Sequence, residues 1–141
     1  MKDIITQANR LLLESAQIGH LATANTSGVP RIVPLCFIEY VGNIYSVIDK
    51  KPKVSDYTKL KRVQNILNNS EVSFLIDHYT EDWNQIWYLQ INGSASIIHT
   101  KDSVMHHKLI DKYPLYANME IKNQPLIQII PRKLNFWSNT N

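Results

Sequence analysis

The stretch GHLATANTSGVPRIVPLCFIEYVGNIYSVID, residues 19–49, decides the fold. Its first part alternates apolar and small or polar residues, the period of a half-buried strand. TSGVP follows, a loop in which Gly28 supplies turn freedom, so the run over 31–40 predicts an antiparallel partner. Val41, Gly42 and Asn43 make a second turn, and 44–49 reads as a third strand. Pro34 stands inside the second of these strands. It cannot donate a ladder hydrogen bond, so the strand must be unpaired there, bulged or at an edge. Such a strand leaves backbone groups free for a ligand, although a plain edge explains the proline equally well.

Working outward, Ile4, Ile5, Ala8, Leu11 and Leu12 recur at helical spacing over 3–16 behind a candidate cap at Asp3. A short amphipathic helix is predicted over 58–67, a fourth strand over 71–77, and a long fifth over 83–98 with a bend at Gly93. Thr100 is the candidate cap of a helix that ends near Tyr113, before Pro114. PLIQIIP and KLNFW supply one or two closing strands. The pattern predicts a mainly β protein, a six-stranded antiparallel barrel with peripheral helices, because closure removes the exposed edges of such a sheet.

The 141 residues suit a single domain over 1–141. No apolar run approaches the roughly 20 residues that span a bilayer, and the N-terminus has no signal-peptide pattern. A lone cysteine, Cys36, makes no intrachain disulfide, which predicts a cytoplasmic protein with no membrane partner. There is no G-x-S-x-G turn, no glycine-rich loop opening a helix and no i, i+4 histidine pair; His106 and His107 point about 100° apart on a helix. Nucleophilic hydrolysis, P-loop chemistry and a metal site therefore find no support, and no catalytic acid or base is assigned.

The net charge of +3 is concentrated. Residues 50–62 hold Lys50, Lys51, Lys53, Lys59, Lys61 and Arg62 against Asp56 alone. A solvated face is the plain explanation of such a run; a small phosphate-bearing ligand is the functional one. The segment HYTEDWNQIWYLQ, 78–90, adds two tryptophans and two tyrosines, which suit ordinary strand packing or the wall of a planar ring site.

The order GHLATANTSGVPRIVPLCF, YSVIDKKPK, then LKRVQNILNNSEVSFLIDHYTEDWNQIWYLQINGSASI resembles the pyridoxamine-phosphate-oxidase-like split-barrel superfamily, nearest its F420-dependent oxidoreductase group. The resemblance covers 15–98, and its more specific parts are D-x-K-P-K and D-H-Y-x-x-D-W. It implies a six-stranded split β-barrel, a homodimer with cofactor sites at the subunit interface, and F420 or FMN as cofactor. It further implies hydride transfer to or from a small-molecule substrate. By position, Arg31, Val33, Pro34 and Leu35 would meet the ring, partly through backbone groups, and Val47, Ile48 and Asp49 would line the adjoining strand. Lys51, Lys53 and Arg62 would hold the phosphate, and Trp83 and Trp87 would approach from the interface strand. Gln90 and Tyr88 depart from the arginine and tryptophan usual in relatives, and Asn69-Ser70 from an Asn-Pro pair. Two rivals are a flavin or haem carrier without turnover, and a nucleic-acid-binding barrel; the concentration of cations in one cluster argues against nucleic acid.

Overall fold

The computed structural model describes residues 4–49 and 56–139. Seven strands form one antiparallel sheet: β1 (Gly19–Ala24), β2 (Pro30–Leu35), β3 (Ile38–Tyr40), β4 (Asn43–Val47), β5 (Glu71–His78), β6 (Trp87–Ile98) and β7 (Leu126–Ser138). Their order across the sheet is β2-β1-β5-β6-β7-β4-β3. Three helices accompany them, α1 (Gln7–Ser15), α2 (Lys61–Asn68) and α3 (Val104–Lys112). None of the described helices is long and apolar enough to cross a membrane.

The strand count exceeds the expected six because the run over 31–40 breaks. β2 and β3 occupy opposite edges of the sheet, yet only Cys36 and Phe37 join them. The link from Leu35 to Ile38 spans at most about 10 Å. The two edges must therefore come together, and the sheet curls without a ladder across the seam. Tyr113 holds the break open: its hydroxyl accepts from Phe37 N–H at 3.1 Å and donates to Gln17 C=O at 2.8 Å. The backbone donor at the seam thus finds a side-chain partner rather than a strand.

Alternation sorts the side chains. Gly19, Leu21 and Thr23 of β1 are buried while His20, Ala22 and Ala24 are partly open. Inside the curl, Leu21, Phe37, Ile44, Phe74, Ile76 and Ile91 pack together, with Leu13 of α1 and Val63 and Ile66 of α2 closing the core. A second cluster lies outside it, where Ile38, Tyr45 and Val47 meet Leu109, Tyr116 and Ile121. The bend expected at Gly93 is a register shift against β7; a Cβ there would lie 2.3 Å from Ile130 O, so only glycine lets the strands approach.

Two caps differ from expectation. Thr6, not Asp3, caps α1, and Asp3 lies outside the described residues. Ser103, not Thr100, caps α3 in a reciprocal box: His106 Nδ1 accepts from Ser103 N–H at 3.2 Å, and Ser103 Oγ accepts from His106 N–H. The other nitrogen of the fully buried imidazole, Nε2, donates to Gln124 C=O at 2.9 Å. A capping histidine carries no familiar sequence signature, so the sequence alone places the start of the helix too early. The short helix expected over 58–67 is a 3-10 turn, Tyr57–Lys59, followed by α2.

Candidate functional site

The hydrogen-bond phase of β2 follows from the turn before it. Asn25 N–H donates to Val29 C=O at 3.1 Å, and antiparallel ladders alternate bonded with non-bonded pairs. Thr23–Arg31, Leu21–Val33 and Gly19–Leu35 are then the bonded pairs of the register. The backbone groups of Pro30, Ile32 and Pro34 point away from β1, and two of these residues have no N–H. The free edge offers three carbonyls and one donor, the Ile32 N–H. Pro34 is therefore an edge residue, and every other donor that an added peptide strand would need is missing. Arg31, Val33 and Leu35 give their backbone groups to β1, and the side chains of Val33 and Leu35 pack on the inner core.

At one end of this edge the charges converge. Arg31 is on β2, Asp49 follows β4, and Arg62 is in the first turn of α2. Burial pushes the Arg62 guanidinium below its ordinary pKa; the Asp49 carboxylate opposes this, and the Arg31 charge adds to it. The partly buried Arg62 guanidinium and Asp49 carboxylate thus lie within electrostatic reach of the exposed Arg31. Among the described residues no side chain caps α2, whose first turn carries Arg62. Lys51 and Lys53 lie outside the described residues.

Val47 and Ile48 are core side chains, 4% and 1% exposed, and Ile48 N–H is committed to Pro125 C=O at 2.9 Å. Asp49 alone of that trio presents a polar side chain. Trp83 and Trp87 lie elsewhere. Trp87 is six positions along β6 from Gly93, which pairs with Val72 beside the Arg31 level. That places Trp87 about 20 Å away along the strands. It stacks on His78, centroids 6.1 Å apart, while Trp83 is largely exposed and its carbonyl accepts from Asn139 Nδ2 at 3.1 Å. Within one chain the cationic end and the tryptophans do not meet.

The groups that line the seam carry no local motif. Tyr116 is buried beside Cys36; burial first, then its interaction with Cys36, raise its pKa. Burial raises the Tyr113 phenol to about 12, opposed by its bond to the Phe37 backbone. Burial lowers Lys112 to about 8, opposed by Cys36 and Glu14. The Lys112 Nζ lies 3.9 Å from the Phe37 ring centroid and donates to Leu13 C=O at 3.1 Å. These roles depend on contacts across the chain.

Lys112 links stability to pH. Between about 8 and its ordinary 10.5, the unfolded chain binds a proton that the native chain has released, so stability rises with pH there. Thermal melts of wild type and Lys112→Met are expected to diverge in favour of wild type from pH 8 to 10. A constant difference contradicts the shift.

Residues 5–138 match the family model described as pyridoxamine 5'-phosphate oxidase. No curated protein matches the chain. Among solved structures, the conserved hypothetical protein Rv2991 from Mycobacterium tuberculosis superposes with a TM-score of 0.75 at 17% identity, over 98% of this chain and 88% of that one. HutZ, the heme storage protein from Vibrio cholerae, gives 0.69 at 13% identity, over 95% and 94%. A structure described as F420 reductase gives 0.68 at 23%, over 89% and 94%. These likenesses establish a shared fold, which hosts different functions.

Proposed function

Since the chain belongs to the pyridoxamine 5'-phosphate oxidase family, we propose that it is an oxidoreductase that binds F420 or FMN and acts on a small organic substrate. The observation that carries this reading is the partly buried Arg62 guanidinium, with the exposed Arg31 beside it, at one end of an edge strand with free carbonyls. Arg62 and Arg31, joined by Lys51 and Lys53, hold the phosphate through charge-assisted hydrogen bonds. The adjacent N–H and C=O of Ile32 match the C=O and N–H along the imide edge of a flavin or deazaflavin ring. When bound, that ring supplies two-electron, hydride-type chemistry. The chain's own residues bind and orient it, and Tyr116 and Cys36 line the seam beside Asp49.

The reading includes a homodimer. Ile32, Tyr88 and Trp137 are 64%, 38% and 42% exposed on the outer face of the sheet, large apolar groups that a second copy would face, Tyr88 and Trp137 across the cavity they border. A second copy packed there brings a Trp83 and a Trp87 toward the cationic end that they cannot reach within one chain. The fold shared with a heme storage protein supports a second reading, a carrier without turnover.

Anaerobic absorbance titrations with F420 and FMN test the proposal. Stoichiometric binding of one of them, followed by acceptor-dependent oxidation of its reduced form, is the expected result. A bound chromophore that never turns over supports the carrier, and no binding of either at micromolar concentration overturns both readings.

A further inference from the structure

The end of the sheet opposite the cationic site carries an aromatic cavity of about 390 Å3. Asp77 pairs with Tyr88 across β5 and β6, and Tyr88 pairs with Trp137 across β6 and β7. The three side chains therefore form one row on the same face of adjacent strands, each about 5 Å from the next. Tyr88 and Trp137 stack with centroids 5.7 Å apart and planes at 21°. His78 and Trp87 border it from one residue along, on the opposite face of the strands, where they stack at 6.1 Å and 22°, and Leu75, Tyr79, Ile86 and Gln90 complete the lining.

The charge of this end is the reverse of the rest of the molecule. From 77 to 90 the chain holds Asp77, Glu81 and Asp82 and no lysine or arginine, in a protein of net charge +3. Among the described residues no ion pair involves Asp77, and no lysine or arginine lines the cavity. Aromatic faces attract cations through their quadrupole, and a carboxylate at the rim adds a directed charge. A phosphate or carboxylate ligand would meet only repulsion from Asp77, and a neutral hydrocarbon would not use it.

We propose that this cavity binds a small organic cation of the N-alkylated ammonium class, seated over Tyr88 and Trp137 with Asp77 as its counter-ion. Under the oxidoreductase reading, on which this extension rests, the cavity faces the second copy's cofactor and the substrate carries the positive charge. The binding itself requires neither cofactor nor turnover, so the two can fail separately.

The test uses the full chain without cofactor. Choline is titrated against 3,3-dimethyl-1-butanol, its neutral carbon isostere, with tryptophan fluorescence and calorimetry as readouts. Choline is expected to bind about fivefold or more tightly than the isostere, the margin of a cation over exposed rings. Asp77→Asn is expected to weaken choline about threefold and leave the isostere unchanged. Trp137→Leu weakens choline further, and melting temperature confirms that both variants fold. Equal affinities for the two probes, no choline binding to the wild type, or an Asp77→Asn protein that binds choline as well as wild type would each overturn the proposal.

Discussion

Arg62→Ala is expected to weaken binding of FMN or F420 by about a hundredfold, the loss of a forked, charge-assisted contact worth about 2.7 kcal/mol. The unliganded protein should not suffer with it. Burial and the neighbouring Arg31 charge already oppose the Arg62 guanidinium, and Asp49 offsets them only in part. Removing the side chain relieves that opposition, so the melting temperature of the unliganded variant is expected to hold or rise. Arg62→Lys keeps the charge and loses the fork, and an intermediate loss of about tenfold is expected. The pattern separates a ligand site from a structural ion pair. If Arg62 served mainly to fix Asp49, alanine would lower the melting temperature and leave cofactor affinity where it was.

Phe37→Ala is expected to cost about 4 kcal/mol in urea denaturation, the middle of the range for a buried aromatic ring. Phe37 is fully buried and meets Phe74 edge to face at 4.9 Å and 71°. The Lys112 ammonium lies over its ring, and its N–H bonds to Tyr113. Deleting the ring opens a cavity at the seam where the curled sheet has no ladder to resist it. Phe37→Leu retains most of the volume, and about 1.5 kcal/mol is the expected cost. A loss under 1 kcal/mol for alanine would mean that the seam collapses freely, contrary to the role given to Tyr113 and Lys112.

These residues mark the limit of what the sequence makes legible. The alternation through Leu21 and Thr23 and the turn at Gly28 are local, and a strand buried on one face displays its period to any reader. Gly93 likewise announces a close approach that only the opposite strand explains. The break after Leu35 is different, because its cause is a phenol 76 residues away from Phe37. No local propensity separates one strand over 31–40 from two strands at opposite edges. The α3 cap was missed for a related reason, since the imidazole of His106 is oriented in part by Gln124, 18 residues distant.

The site divides along the same line. Pro34 marked a strand unable to complete a ladder, and Arg62 stood out in a cluster of cations before either had a position. Which backbone groups of β2 are free depended on the register set by Asn25 and Val29. The proximity of Arg31 to Arg62 depended on how α2 closes the core. Asp77 and Trp137 are 60 positions apart in the chain, and only the β5–β6–β7 ladders bring them into one row.

Calorimetric titration of FMN against riboflavin, and of F420 against its phosphate-free deazaflavin core, measures the anion's share of binding directly. Recognition through Arg31 and Arg62 predicts that at least one phosphorylated member binds about a hundredfold or more tightly than its partner. Equal affinity within both pairs would contradict the account.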